Sequence, residues 1–144
     1  NATLLIALDG TSAGAMTHGL DLAAGAAGSL IEGLAIGRFG GSGIWVESGA
    51  ANVTVVGNFL GTDASGLLAR PNNIGIVSDD AATRIGGLLA LERNVISGNL
   101  RSGVGLNGTV GAVIQGNLIG VAADGATALG NARSASTATS PTAR

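Results

Sequence analysis

The sequence predicts an all-β chain wound as a parallel β-helix, a solenoid of about four to five coils with three short strands in each. Three observations carry that prediction. The first is a repeated phrase: Gly57-Asn58-Phe59-Leu60-Gly61-Thr62-Asp63-Ala64-Ser65-Gly66 returns as Gly116-Asn117-Leu118-Ile119-Gly120-Val121-Ala122-Ala123-Asp124-Gly125. Each copy follows an apolar run, at 53–56 and 112–115. Self-similarity on this scale marks stacked repeats and not one closed core. The second is a set of apolar columns: Leu20, Ile44, Ile76 and Val104 form one, and Ile36, Leu60, Ile96 and Ile119 another. The third is the column Leu34, Asn58, Asn94 and Asn117, spaced 24, 36 and 23 residues. A turn of about two dozen residues is too short for a strand–helix–strand unit of ~30 or more.

The elements follow in order. Residues 10–27 hold the one stretch that invites a helix, and its glycines weaken that reading. Glycine-led strands come next: Gly19-Leu20-Asp21-Leu22, Gly43-Ile44-Trp45-Val46, Gly75-Ile76-Val77-Ser78 and Gly103-Val104-Gly105-Leu106. They alternate with runs that carry the repeated phrase, at 31–37, 55–61, 93–97 and 114–120. The long interval of 36 contains two insertions, 63–73 and 86–92. Alternation puts Trp45, between Ile44 and Val46, on the outer face. The repeat domain is expected over 1–131, with 132–144 a Ser/Thr/Ala-rich, disordered tail that abandons the pattern. The start at Asn1 and the unfinished last repeat lead us to expect an internal piece of a longer protein.

Composition agrees. Of 144 residues 46% are hydrophobic, yet only Phe39, Trp45 and Phe59 are aromatic, so the core must be layered Leu, Ile, Val and Ala. Twenty-six glycines without a G-X-Y period, and two prolines, exclude collagen. With no cysteine there is neither a disulfide framework nor a thiolate metal site. A net charge of −2, with seven arginines and no basic stripe, lacks the footprint of a nucleic-acid binder. No apolar run reaches the ~20 residues of a membrane span.

The phrases Arg93-Asn94-Val95-Ile96-Ser97-Gly98-Asn99, Gly57-Asn58-Phe59-Leu60-Gly61-Thr62-Asp63 and Thr83-Arg84-Ile85-Gly86-Gly87 carry a family resemblance, as does Gly33-Leu34-Ala35-Ile36 with Arg38-Phe39. Over roughly residues 4 to 131 the chain resembles the right-handed parallel β-helix repeats of large bacterial secreted and surface proteins, the pectate-lyase-like superfamily. The resemblance implies like side chains stacked from coil to coil, with an asparagine ladder at one turn: Asn58, Asn94 and Asn117. Leu34 departs from the pattern, so the ladder should begin at Asn58. A buried amide must satisfy both its ends, and stacking identical amides does so. Asn72 is taken as a surface asparagine, against which the cost of removing Asn94 can be measured.

Two motifs are decoys. Gly10-Thr11-Ser12-Ala13-Gly14, near His18, has the spacing of a nucleophile elbow but lacks its strand-to-helix setting. Gly103-Val104-Gly105-Leu106-Asn107-Gly108 has dinucleotide-loop spacing, yet a strand and not a helix follows. The sequons at Asn1, Asn52 and Asn107 arise easily in a chain rich in Asn and Thr. A threonine ladder for ice binding fails, because Thr54, Thr62, Thr83 and Thr109 share no column.

The acids decide more. Glu32 and Glu92 fall in one column, two coils or about 10 Å apart at ~4.8 Å per coil, wider than the ~6.5–9.5 Å of an inverting glycosidase pair. Asp63, Asp79 and Asp80 are the best set for a hard cation such as Ca²⁺, though they match no known calcium loop. Solvated turn residues are the competing reading. Arg84 and Arg93 with Asp79, Asp80 and Glu92 are the one acid–arginine grouping to consider. Trp45 is a candidate platform for stacking a sugar ring, with packing under a loop or in an interface as the competing reading. The ligand-binding candidates are thus Trp45, Asp63, Asp79, Asp80 and Arg84, with no catalytic residue, metal ligand or cofactor assigned.

The expectation is a non-enzymatic structural or adhesive module of a bacterial secreted or cell-surface protein, presenting loops such as 63–73. It would self-associate through coil ends or lateral faces, as a homo-oligomer. The alternative is a polysaccharide-binding or polysaccharide-degrading domain, a lyase, hydrolase or epimerase, which rests on fold analogy.

Overall fold

A computed structural model describes residues 6–132. The expected tail, 132–144, lies outside the described residues except for its first position. The chain makes four coils and opens a fifth. The first coil holds β1 (Ile6–Asp9), β2 (Leu20–Leu22) and β3 (Leu30–Glu32), and the second β4 (Leu34–Gly37), β5 (Ser42–Val46) and β6 (Thr54–Val56). The third holds β7 (Phe59–Leu60), β8 (Ile74–Ser78) and β9 (Arg84–Ile85). The fourth holds β10 (Val95–Ile96), β11 (Val104–Leu106) and β12 (Val113–Ile114), and β13 (Leu118–Ile119) starts the next. Two single 3-10 turns, Ala24–Ala26 and Ala90–Glu92, are the only helical segments among the described residues.

Every strand pair is parallel and joins neighbouring coils. Three sheets result: β1-β4-β7-β10-β13 (sheet A), β2-β5-β8-β11 (sheet B) and β3-β6-β9-β12 (sheet C). Register is in phase with the apolar columns: Leu20, Ile44, Ile76 and Val104 pair in series, as do Ile36, Leu60, Ile96 and Ile119. These side chains point inward with Val55 and Ile85, and most are fully buried. Stacking like on like lets one aliphatic layer cover the next, so short strands of two to five residues suffice.

The corner between sheets C and A is turned by one residue in the left-handed region: Gly33, Gly57 and Gly116, with φ between 64° and 77°. Glycine takes this conformation without steric cost. The next residue is the ladder position. Asn58 Nδ2 donates to Ile31 O, Val56 O and Asn94 Oδ1, and the Asn58 backbone N–H also donates to Asn94 Oδ1 at 2.9 Å. Asn94 repeats the arrangement one coil on, donating to Val55 O and Asn117 Oδ1. At the top, the Leu34 N–H donates to Asn58 Oδ1, so leucine closes the ladder from above without being a rung.

A second ladder runs along the corner between sheets A and B. Asn72 and Asn99 are buried and Asn131 is half-buried. Asn99 donates to Leu60 O and, at 2.9 Å, to Asn131 Oδ1. Asn72 Nδ2 donates to Ile36 O, its backbone N–H donates to Asn99 Oδ1, and its own Oδ1 accepts from Phe39 N. Asn72 is therefore not the surface residue expected from the sequence. Its ladder escapes a column search because its intervals, 33, 27 and 32 from Phe39 to Asn131, follow corner loops of unequal length.

The glycines that lead the sheet B strands sit beside this ladder. A Cβ on Gly43 would lie 2.7 Å from Gly75 O and 2.8 Å from Asn72 Nδ2, and one on Gly103 2.7 Å from Asn131 Nδ2. Close approach of adjacent coils, and not an unusual φ, requires glycine there.

The insertion at 63–73 is not unique. It forms a small hairpin closed by the antiparallel bridge between Thr62 and Ala69, and the same bridge recurs between Val121 and Ala128, 59 positions on. Matching bonds close both, Asp63 N to Leu68 O and Ala122 N to Thr127 O. The hairpins meet across the tight corner of the intervening coil, where Ala123 N donates to Gly66 O at 2.9 Å and Gly98 N to Leu129 O. Together they cover the outer face of sheet A, burying Ala35, Phe59 and Val95, with Leu118 and Ala123 against them. Sheet A is thus buried on both sides where the hairpins reach it.

Each hairpin turn is fastened by a carboxylate. Burial raises the Asp63 pKa, but bonds from the Ser65 hydroxyl and the Leu68 and Leu67 N–H groups outweigh it and hold the carboxyl below its usual 3.8. The Asp124 carboxyl is lowered by the Thr127 hydroxyl and the Thr127 and Ala126 N–H groups. Both groups bind a proton more weakly folded than unfolded. Their stabilisation is complete above pH 3.8 and is lost as pH falls below it through the folded values. We expect the thermal midpoint to stay level down to about pH 4.5 and then fall, with a shallower fall in Asp124→Asn.

Candidate functional site

The outer face of sheet B is the part of the surface where aromatic, acidic and amide groups meet. Pairing places Asp21, Trp45, Val77 and Gly105 in one outward row. Trp45 Nε1 donates to Asp79 Oδ2 at 2.9 Å, and Asn107 Nδ2 donates to Asp79 Oδ1 at 2.7 Å. His18, from the turn before β2, lies with its ring centroid 4.8 Å from that of Trp45, the planes inclined at 48°. The Ser42 N–H donates to His18 Nδ1 at 2.9 Å, so the neutral ring carries its hydrogen on Nε2. A cavity of about 180 Å3 opens here, lined by His18, Ser42, Trp45, Val77, Asp79 and Asn107.

Of the sequence-predicted candidates, Trp45 and Asp79 are brought together. The others are not. Asp63 fastens its hairpin turn on the sheet A side. Asp80 holds the turn after β8, accepting from Gly49 N and Ala82 N. Arg84, outward on sheet C, pairs with Glu92 at 2.9 Å, both side chains about one-third exposed. That bond and the Leu89 N–H lower the Glu92 pKa. The acid–arginine grouping therefore does not assemble: Asp79 is bonded on sheet B, Arg84 and Glu92 are bonded to each other, and Arg93 is exposed. Among the described residues no three His, Cys, Asp or Glu side chains converge to hold a metal ion, so Asp63, Asp79 and Asp80 do not make one set of ligands.

The column shared by Glu32 and Glu92 is corrected. Glu32 pairs with Val56, but pairing of Val55 with Ile85 puts Gly86 next in that series. Counting back from Asn94 enters the 86–92 insertion instead of the strand, so Glu92 ends the 3-10 turn Ala90–Glu92 and 10 Å is not the separation of a stacked pair.

Sequence reasoning missed His18 and Asn107. The signal for Asn107 was present, since Asp79 and Asn107 are 28 residues apart, as are Ile76 and Val104 of the inward column. His18 carries no such signal, because the equivalent positions before the leading glycines of later coils hold Ser42, Ile74 and Ser102, and no like residue marks the column.

A second groove of about 100 Å3 lies over sheet A at the first two coils, beside the 61–70 hairpin, where Arg38 and Asp9 pair at 2.8 Å. Bonds from the Thr11 hydroxyl and N–H are the main reason that the Asp9 carboxyl titrates below its usual range. That acid too is committed to its own turn.

In comparisons with known proteins, no family model, no curated protein and no solved structure matches the chain. The β-solenoid fold stands on the strand register alone. Among the described residues no helix is long and apolar enough to cross a membrane.

Proposed function

We propose that this chain is a non-enzymatic structural or adhesive module, a stiff spacer in a bacterial secreted or cell-surface protein that presents its outer faces to partners. One observation carries the reading. The carboxylates that could have formed a reaction centre are each committed separately: Asp63 and Asp80 to turns, Glu92 to Arg84, and Asp79 to Trp45 and Asn107. Bonds of this kind fasten a scaffold, and the two amide ladders fasten it along its axis. The extracellular setting rests on the resemblance of the repeats. Self-association through coil ends or lateral faces belongs to the same proposal, with Leu88, Leu89 and Leu91 exposed on one corner loop.

The test is incubation with neutral and acidic polysaccharides, with and without Ca²⁺, scoring chain cleavage. The expected result is no turnover in either condition. Cleavage that disappears in Asp79→Ala or Asp80→Ala would overturn the reading and install an enzyme in its place.

A further inference from the structure

We propose that the cavity beside Trp45 is a binding subsite for a neutral pyranose ring, most simply one unit of an uncharged oligosaccharide. The scaffold reading does not depend on it; the subsite specifies what an adhesive face would hold.

The chemistry of the lining selects the ligand. A pyranose has one face of C–H groups and a rim of hydroxyls. It therefore needs an aromatic surface with convergent donors and acceptors around it. Trp45 supplies the surface, half-buried and anchored through its Nε1 bond to Asp79. Each Asp79 oxygen accepts one bond, from Trp45 or Asn107, and retains capacity for a hydroxyl donor. The Asn107 amide supplies a further donor and acceptor, and Nε2–H of His18 another donor. At 48° to Trp45, the His18 ring makes a wedge with the indole and not a closed stack. These groups are fixed before any ligand arrives, which lowers the ordering cost of binding. At about 180 Å3 the cavity suits a single ring, well below the ~300 Å3 at which drug-sized pockets begin.

Charge decides against an acidic sugar. Asp79 lines the cavity, Asp21 pairs in register with Trp45, and no arginine is among the lining residues. A uronate carboxylate would enter a negative field without a cationic partner.

The test uses a property of the sequence: Trp45 is the only tryptophan and there is no tyrosine, so indole fluorescence reports on this site alone. The intact chain is titrated with neutral gluco-, manno- and xylo-oligosaccharides and, separately, with oligogalacturonate. We expect a saturable change for at least one neutral series with Kd near ~1 mM, as a ligand of this size allows, and about tenfold or weaker binding of the uronate. Asp79→Asn should weaken neutral binding about tenfold. Asn107→Ala, at an exposed position, gives a second variant should Asp79→Asn unfold. No saturable change with any neutral series overturns the subsite and leaves the scaffold reading standing. So does uronate binding that equals neutral binding, or neutral binding unchanged in both variants. Sugar cleavage would instead overturn the scaffold reading, so the two failures are distinguishable.

Discussion

Replacing Asn94 by alanine should destabilise the chain by about 3 kcal/mol, one of the two largest losses expected from any single substitution discussed above. Asn94 Oδ1 accepts from both the backbone and the side chain of Asn58, and Asn94 Nδ2 donates to Val55 O and Asn117 Oδ1. The substitution leaves buried partners on both neighbouring coils, and each orphaned group costs ~1–3 kcal/mol, partly relieved by relaxation. In a chain of this length that lowers the thermal midpoint by roughly 10 °C. Asn72→Ala and Asn99→Ala should behave alike, because the second ladder makes the same bonds. The proper control is exposed Asn107, whose side chain makes a single solvent-facing bond to Asp79 and whose replacement should cost about 1 kcal/mol or less. Denaturant or thermal unfolding of the four variants checks this. An Asn94 loss no larger than that of Asn107 would mean that the amide ladder contributes nothing.

Gly75→Ala should cost about as much, ~3 kcal/mol, the upper end for forcing one methyl group into packed structure. The added Cβ would lie 2.5 Å from Gly103 O, 2.7 Å from Ile96 Cγ2 and 3.0 Å from Asn99 Nδ2. Two of these are a backbone atom and a ladder amide, which cannot move without opening the sheet or the ladder. Gly75 does not have a positive φ, so the penalty is purely one of space. Gly25→Ala is the matching control: a Cβ there would meet nothing within 4 Å, and the midpoint should hardly change. Similar losses in the two variants would show that adjacent coils are not in close contact at the sheet B corner.

The fold was legible because stacked coils force like residues into columns. Inward Leu20, Ile44, Ile76 and Val104 can be aligned by eye, and the observed pairing is the same. The second amide ladder was not legible. Its rungs follow corners that alternate between a tight turn and a hairpin, so no constant step leads from Asn72 to Asn99 to Asn131. Glu92 misleads for the same reason, since an insertion between β9 and Asn94 breaks a count made from the asparagine. The site was half legible. Alternation puts Trp45 outside, and the acids near it are in view. Which acid it meets depends on a diagonal across two coils, from Trp45 to Asp79, which a column alignment does not contain. His18 stands out in the sequence only beside a motif that has no structural context here.

The paired hairpins set how such a chain can grow. Because Gly66 and Ala123 meet over the corner of the coil between them, a hairpin on every coil would leave no room for its neighbour, and one on every third would leave a stretch of sheet A bare. The outer wall over sheet A therefore repeats by the pair of coils, a step of 59 residues from Asn58 to Asn117. Duplications or deletions of whole pairs would keep the outer wall in step, whereas gain or loss of a single coil would put it out of phase.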